Sequence, residues 1–83
     1  MKRNYYYTYV LKSKKDGRLY IGWTVNLEKR YKEHLEGKVL ATKNRKPLKL
    51  IYYEACLERK KAIEREKSLK SGFGRAYLKR RLA

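Results

Sequence analysis

The sequence predicts an α+β domain, a small sheet with helices packed on it, in the order β-β-α-β-α-α. Three observations carry this. An aromatic, β-branched run, Tyr5 to Lys12, is followed by Asp16-Gly17 turn chemistry and a second such run. Two later stretches carry apolar residues at helical spacing between a cap and a glycine. The 83 residues leave room for one domain, 1–83, and so short a chain needs almost every apolar residue for its core.

The first strand is expected over 5–12, with Tyr5, Tyr7, Tyr9 and Leu11 on one face. The return strand takes 18–24, with Tyr20 and Gly22 on one face and Leu19, Ile21 and Trp23 on the other. Gly22 costs strand propensity, which close approach of a backbone or ligand would justify. Asn26 suits an N-cap for a helix over about 27–36, stopped by Gly37. Its inward stripe is Leu27, Tyr31 and Leu35, with Arg30 and His34 flanking at i, i+4. Residues 37–46 read as a polar, basic loop. A third strand runs from Leu48 to Glu54, a helix from about Glu58 to Lys70, and a short helix from Phe73 to Leu82. No repeat or linker interrupts the chain.

Charge narrows the function. Twenty-four Lys and Arg against eight Asp and Glu leave a formal +16 and a pI near 10.1. The bases are interleaved with apolar residues, which describes a folded basic domain rather than a basic arm, and favours a polyanionic partner. No apolar run reaches membrane-spanning length, no helix pairs a basic face with a Trp/Phe/Leu face, and the amino terminus lacks a signal-peptide pattern, so a soluble, cytoplasmic protein is expected. Cys56 is the only cysteine, which excludes an intrachain disulfide, and with the single His34 it excludes a cysteine-built zinc site. Cys56 reads as inert packing.

Two constellations carry chemistry. Glu66 sits within the apolar side marked by Ala62, Ile63 and Leu69, where a lone carboxylate would be costly. Either Arg30 satisfies it as a structural ion pair, or it binds a metal facing a phosphate-binding Arg30, and oxygen ligation suits Mg²⁺. Tyr9 and Tyr20 lie eleven residues apart on adjacent strands. They are either half-buried strand residues or, with pKa values lowered by surrounding cations, a base or water-positioner. His34 is either a surface or partly buried helix residue or a proton carrier. Lys43, Arg45 and Lys46 are either a solvated loop or backbone-phosphate contacts, and Lys70 ends the helix that bears Glu66.

The segments Tyr7-Thr8-Tyr9-Val10-Leu11 and Leu19-Tyr20-Ile21-Gly22 resemble the paired signatures of the GIY-YIG nuclease family. The second is literal; in the first, Tyr7 and Thr8 stand for the usual Gly and Ile. Thr24 to Arg30 with His34 is similar to the family's arginine-bearing helix, and Arg30 follows Tyr20 by the family's ten residues. Ala62 to Lys70 resembles its metal-ligand helix, with Glu66 at the glutamate position. The match spans about residues 5–72 and is most similar to stand-alone single-domain members, then to the incision domain of excision-repair nucleases and to junction nucleases. Trp23 departs from the lysine that several members place there, and the family's late Asn has no counterpart.

The resemblance implies a three-stranded antiparallel sheet flanked by helices, and DNA phosphodiester hydrolysis with one Mg²⁺ or Mn²⁺, in repair or recombination. Glu66 would hold the metal, Arg30 would stabilise phosphate charge, Tyr9 and Tyr20 would activate or position water, and His34 would assist. Lys43, Arg45, Lys46 and Lys70 would contact nucleic acid. DNA is the expected partner, with RNA left open, for a monomer or weak dimer with room for a targeting protein. The alternative is a non-catalytic nucleic-acid-binding module with the same fold.

Overall fold

The computed structural model describes residues 4–82. Strands β1 (Tyr6–Ser13), β2 (Leu19–Thr24) and β3 (Leu48–Cys56) form one antiparallel sheet in the order β2-β1-β3. Helices α1 (Leu27–Leu35), α2 (Arg59–Lys70) and α3 (Gly72–Leu82) complete the expected β-β-α-β-α-α order. The loop expected over 37–46 tightens into a 3₁₀ turn at Lys43–Arg45.

The register decides which side chains share a face. Tyr9 pairs with Gly22, and Leu11 with Tyr20, so both tyrosines lie on the same face of the β1–β2 hairpin. Across β1 on the other side, Tyr9 pairs with Tyr53. Gly17 takes φ +74° in the hairpin turn, and Asp16 accepts from the Arg18 N–H at 2.9 Å. This face packs Tyr9, Leu11 and Leu48 against Leu27 and Tyr31 of α1. The opposite face packs Val10 and Ile21 against Leu69 of α2 and Leu78 of α3. Burying each such aliphatic side chain contributes about 1.5–3 kcal/mol.

Polar anchors fix the helices on the two faces. Asn26 caps α1 by accepting from Lys29 N–H at 3.1 Å. Tyr31 Oη accepts from Leu50 N–H at 3.3 Å, tying α1 to β3. On the other face, buried Thr8 donates to the Ala62 carbonyl at 2.9 Å, which gives the departure from Ile at this position a structural use. Arg65 of α2 forks onto Glu54 of β3 at 2.8 and 2.9 Å. Gly74 lets α3 approach α2 so closely that a Cβ there would run into the Ser68 carbonyl oxygen.

The inward stripe of α1 differs from the expected one. Leu35 is 44% exposed, and His34 is fully buried in its place. Positions 34 and 35 lie on either side of the stripe begun by Leu27 and Tyr31, and the sheet face offers a polar partner for an imidazole rather than a slot for Leu35. Cys56 ends β3 partly exposed, its thiol donating to the Glu58 carbonyl at 3.3 Å. No described helix is long and apolar enough to cross a membrane.

Candidate active site

The hairpin and α1 build a buried polar cluster on the β1–β2 face. Tyr9 is 1% exposed, and its hydroxyl shares a 2.9 Å hydrogen bond with His34 Nε2. His34 Nδ1 shares a 2.7 Å bond with the buried Thr42 hydroxyl. Both ring nitrogens are therefore satisfied inside the protein. Tyr20 completes the cluster, its ring centroid 6.3 Å from that of Tyr9 and 5.1 Å from that of His34.

Burial sets the protonation of this cluster. Desolvation pushes His34 down to about 4, helped by the Arg30 charge and opposed by Glu33, so the imidazole is neutral at pH 7. Burial likewise pushes the Tyr9 phenol up to about 12; the neighbouring Arg30 guanidinium opposes this, and the Tyr20 hydroxyl and Glu66 reinforce it. The sequence suggested the opposite direction for a tyrosine amid so much positive charge. For Tyr9 the cost of burying a phenolate outweighs the cation beside it.

Of the two readings of Glu66, the structural Arg30–Glu66 pair does not form. Arg30 Nη1 donates to Glu33 at 3.1 Å on its own helix, and Glu66 accepts from Lys70 Nζ at 3.0 Å on α2. The two helices pack on opposite faces of the sheet, and each charge finds a partner one helical turn away. Arg30 instead stands beside Tyr9, and Glu66 is close enough for its charge to act on the same hydroxyl. His34, expected at or near the surface, is buried.

The predicted phosphate contacts separate. Lys43 and Lys46 are exposed in the connection before β3. Arg45 and Lys70 line a cleft together with Tyr20, Arg18 and Arg75. Sequence reasoning missed Thr42 and Arg18 as site residues. Thr42 lies in a stretch read as a polar loop, where only the short uncharged run Val39 to Thr42 hints at burial. Trp23, which follows Tyr20-Ile21-Gly22, carries the Arg59 guanidinium 5.2 Å from its ring centroid.

A single divalent ion is tested by the donors present. Among the described residues no three His, Cys, Asp or Glu side chains gather into a ligand cluster. Glu66 is a partly buried carboxylate that, among the described residues, accepts from Lys70 alone. This suits Mg²⁺, which keeps several waters and is commonly held by one or two carboxylates plus substrate phosphate oxygens. It does not suit an ion caged by protein ligands alone.

Comparison with known proteins identifies the family. Residues 5–80 match the GIY-YIG catalytic domain. A UPF0213 protein of Syntrophus aciditrophicus is 43% identical over 72 residues, covering 84% of this chain and 79% of its own. A UPF0213 protein of Clostridium perfringens is 46% identical over 65 residues, covering 77% and 69% respectively. The solution NMR structure of a UPF0213 protein from Bacillus halodurans superposes with a TM-score of 0.56 at 31% identity, covering 89% of this chain and 81% of that one. With the fold, the hairpin register and the domain match in agreement, the chain belongs to the GIY-YIG family.

Proposed function

We propose that the protein is a metal-dependent endonuclease that hydrolyses DNA phosphodiester bonds. The observation that carries this is the convergence of Tyr9, Tyr20, Arg30 and His34 on one sheet face, with the Glu66 charge acting on the same Tyr9 hydroxyl. Buried, neutral and held by His34, Tyr9 is a poor free phenolate; it serves as the inner link of a hydrogen-bonded chain, Tyr9–His34–Thr42. Tyr20 lines the cleft and meets the attacking water. Arg30 offsets charge building on the phosphate. Glu66 would hold a Mg²⁺ or Mn²⁺, and such an ion would supply Lewis-acid chemistry toward the phosphate.

A second reading, a nucleic-acid-binding module without activity, is favoured by one observation: Lys70 occupies the Glu66 carboxylate. Cleavage of a labelled panel of plasmid, flap and branched DNA separates the two. It is run at low salt with Mg²⁺, Mn²⁺ or EDTA, using the protein and its Glu66→Ala variant. Metal-dependent nicking that the variant loses while still binding supports the nuclease. Binding without cleavage under every metal supports the module.

A further inference from the structure

Beside the tyrosine cluster lies a cleft of about 670 Å³, floored by Leu19, Tyr20 and Ile21 and walled by Arg18, Arg45, Lys70 and Arg75. Four cations from four separate segments converge there: the residue before β2, the 3₁₀ turn, the end of α2 and the start of α3. None of the lining residues is acidic. Two carboxylates act on the lining cations from outside it: exposed Asp16 in the hairpin turn, held below the usual carboxylate range partly by Arg18 and Arg45, and Glu66, which pairs with Lys70.

Arg45 distinguishes this cleft from a merely solvated basic surface. Its Nε is buried and has no hydrogen-bond partner among the described residues. A buried N–H without an acceptor costs about 1–3 kcal/mol, and a bound anion would remove that cost. The cationic tract also continues. Arg75 and Leu19 line a neighbouring groove that carries Lys12, Lys49 and Lys79.

We infer that the cleft is a binding site for an internal backbone phosphate of the nucleic-acid strand, adjoining the phosphate that is cut. Arg45, partly buried with an unpartnered Nε, is its anchor, and Arg18, Lys70 and Arg75 close on the phosphate from the rim. Tyr20 belongs to both the cleft and the tyrosine cluster, and Lys70 reaches both the cleft and Glu66, so an occupant sits next to the reaction centre. The volume admits a phosphodiester with its sugar, and contacts to backbone phosphate carry no sequence information, so binding of this kind is insensitive to sequence. The adjoining position rests on the nuclease reading; the phosphate site itself does not.

The test is binding of a fluorescent single-stranded DNA oligonucleotide in EDTA, titrated with salt. The proteins compared are wild type, Arg18→Gln, Arg75→Gln, Arg75→Lys and Lys60→Gln. Lys60 is exposed near the start of α2, about 15 Å along the helix from Lys70. Arg18 and Arg75 are exposed, so their variants fold. Each Arg-to-Gln change is expected to weaken binding about three- to tenfold at low salt and to lower the slope of log affinity against log salt by about 1. Arg75→Lys recovers most of the slope, and Lys60→Gln leaves affinity near wild type. A scan with single neutral methylphosphonate linkages adds the decisive arm. In an oligonucleotide just long enough to fill the site, so that the strand cannot shift register, one internal position should weaken wild type but leave Arg75→Gln unmoved.

Wild-type affinity and slope in both Arg-to-Gln variants overturn the site, even where metal-dependent cleavage is intact. A preference that depends only on a terminal phosphate overturns it as well. Lost affinity in these variants beside an absence of any cleavage keeps the phosphate site and removes the nuclease.

Discussion

The Tyr9 hydroxyl stands over Gly22 where a side chain would begin: a Cβ on Gly22 would meet Oη at 2.7 Å and Cζ at 2.8 Å. Tyr9 cannot retreat, because it is 1% exposed and bonded to His34. Gly22→Ala is therefore expected to push the ring off His34 and to destabilise the fold by about 1–3 kcal/mol, the usual range for overpacking. Urea unfolding reads the stability, and the His34 ring signals in NMR read the lost bond. A variant as stable as wild type with unmoved His34 signals would show that the close approach is not needed.

How much of this was legible beforehand differs by element. Gly22 announced a close approach through its poor fit to a strand, and the occupant proved to be a side chain from the partner strand. The convergence of Tyr9 and Tyr20 followed from the hairpin once its register was known. The partners of Arg30 and Glu66 did not follow. Helical periodicity marks an inward stripe but does not say which sheet face each helix covers, and α1 and α2 cover opposite ones. His34 was hidden because it sits between charged Glu33 and apolar Leu35, a context that favours Leu35 for the core. Thr42 was invisible for a different reason. Its partner is eight residues away, and only the path of the loop brings them together.

The depressed pKa of His34 makes stability fall in mild acid. The folded protein resists protonating a buried imidazole until about pH 4, whereas the unfolded chain takes the proton near 6.5. Between these values the unfolded state binds more protons, so stability rises with pH and is lost as pH falls from about 6.5 toward 4. The full effect is about 3 kcal/mol. His34 is the only histidine, so the slope between pH 5 and 6.5 belongs largely to it. Thermal unfolding across that range should show the slope in wild type and a flat line in His34→Gln, whatever the absolute stability of the variant. An equal slope in both would remove His34 as the cause.

Tyr9 gives the mirror effect in alkali. Its folded pKa of about 12 lies above the value near 10 of an unfolded tyrosine. Stability contributed by the neutral phenol is therefore complete below pH 10 and lost as pH rises through 12. Absorbance titration of tyrosinate should show two late-ionising tyrosines, Tyr9 and Tyr52, the latter also pushed up by burial and by Glu54, and only one of them in Tyr9→Phe. Identical titrations would place the buried phenol elsewhere.

Lys70 competes for Glu66. The pair is half exposed on the lysine side, so breaking it costs little stability, at most about 1 kcal/mol. Lys70→Ala is expected to tighten Mn²⁺ binding to the free protein about two- to fivefold, the equivalent of such a pair. Paramagnetic broadening of amide signals around Glu66 measures this without DNA or activity. Glu66→Gln should abolish the broadening. Broadening that survives Glu66→Gln would move the ion to other ligands.

Thr42 fixes the state in which His34 can work. If the Thr42 oxygen accepts from Nδ1–H, Nε2 is left as the acceptor facing Tyr9, and that tautomer alone can share the Tyr9 proton. Thr42→Val keeps the side-chain shape and removes the oxygen, leaving Nδ1 buried without a partner at a cost of about 1–3 kcal/mol. Thr42→Ser keeps the oxygen and loses one methyl. In DNA cleavage, Thr42→Val should lower kcat about tenfold or more with little change in KM, and Thr42→Ser should remain near wild type. A merely structural role would lower the folded fraction while leaving the pH profile of the surviving enzyme in place. A positioning role instead moves the profile, because the tautomer preference that sets the proton affinity of the Tyr9–His34 pair is gone. Unchanged kcat and pH profile in a folded Thr42→Val protein would take Thr42, and with it the buried relay, out of the chemistry.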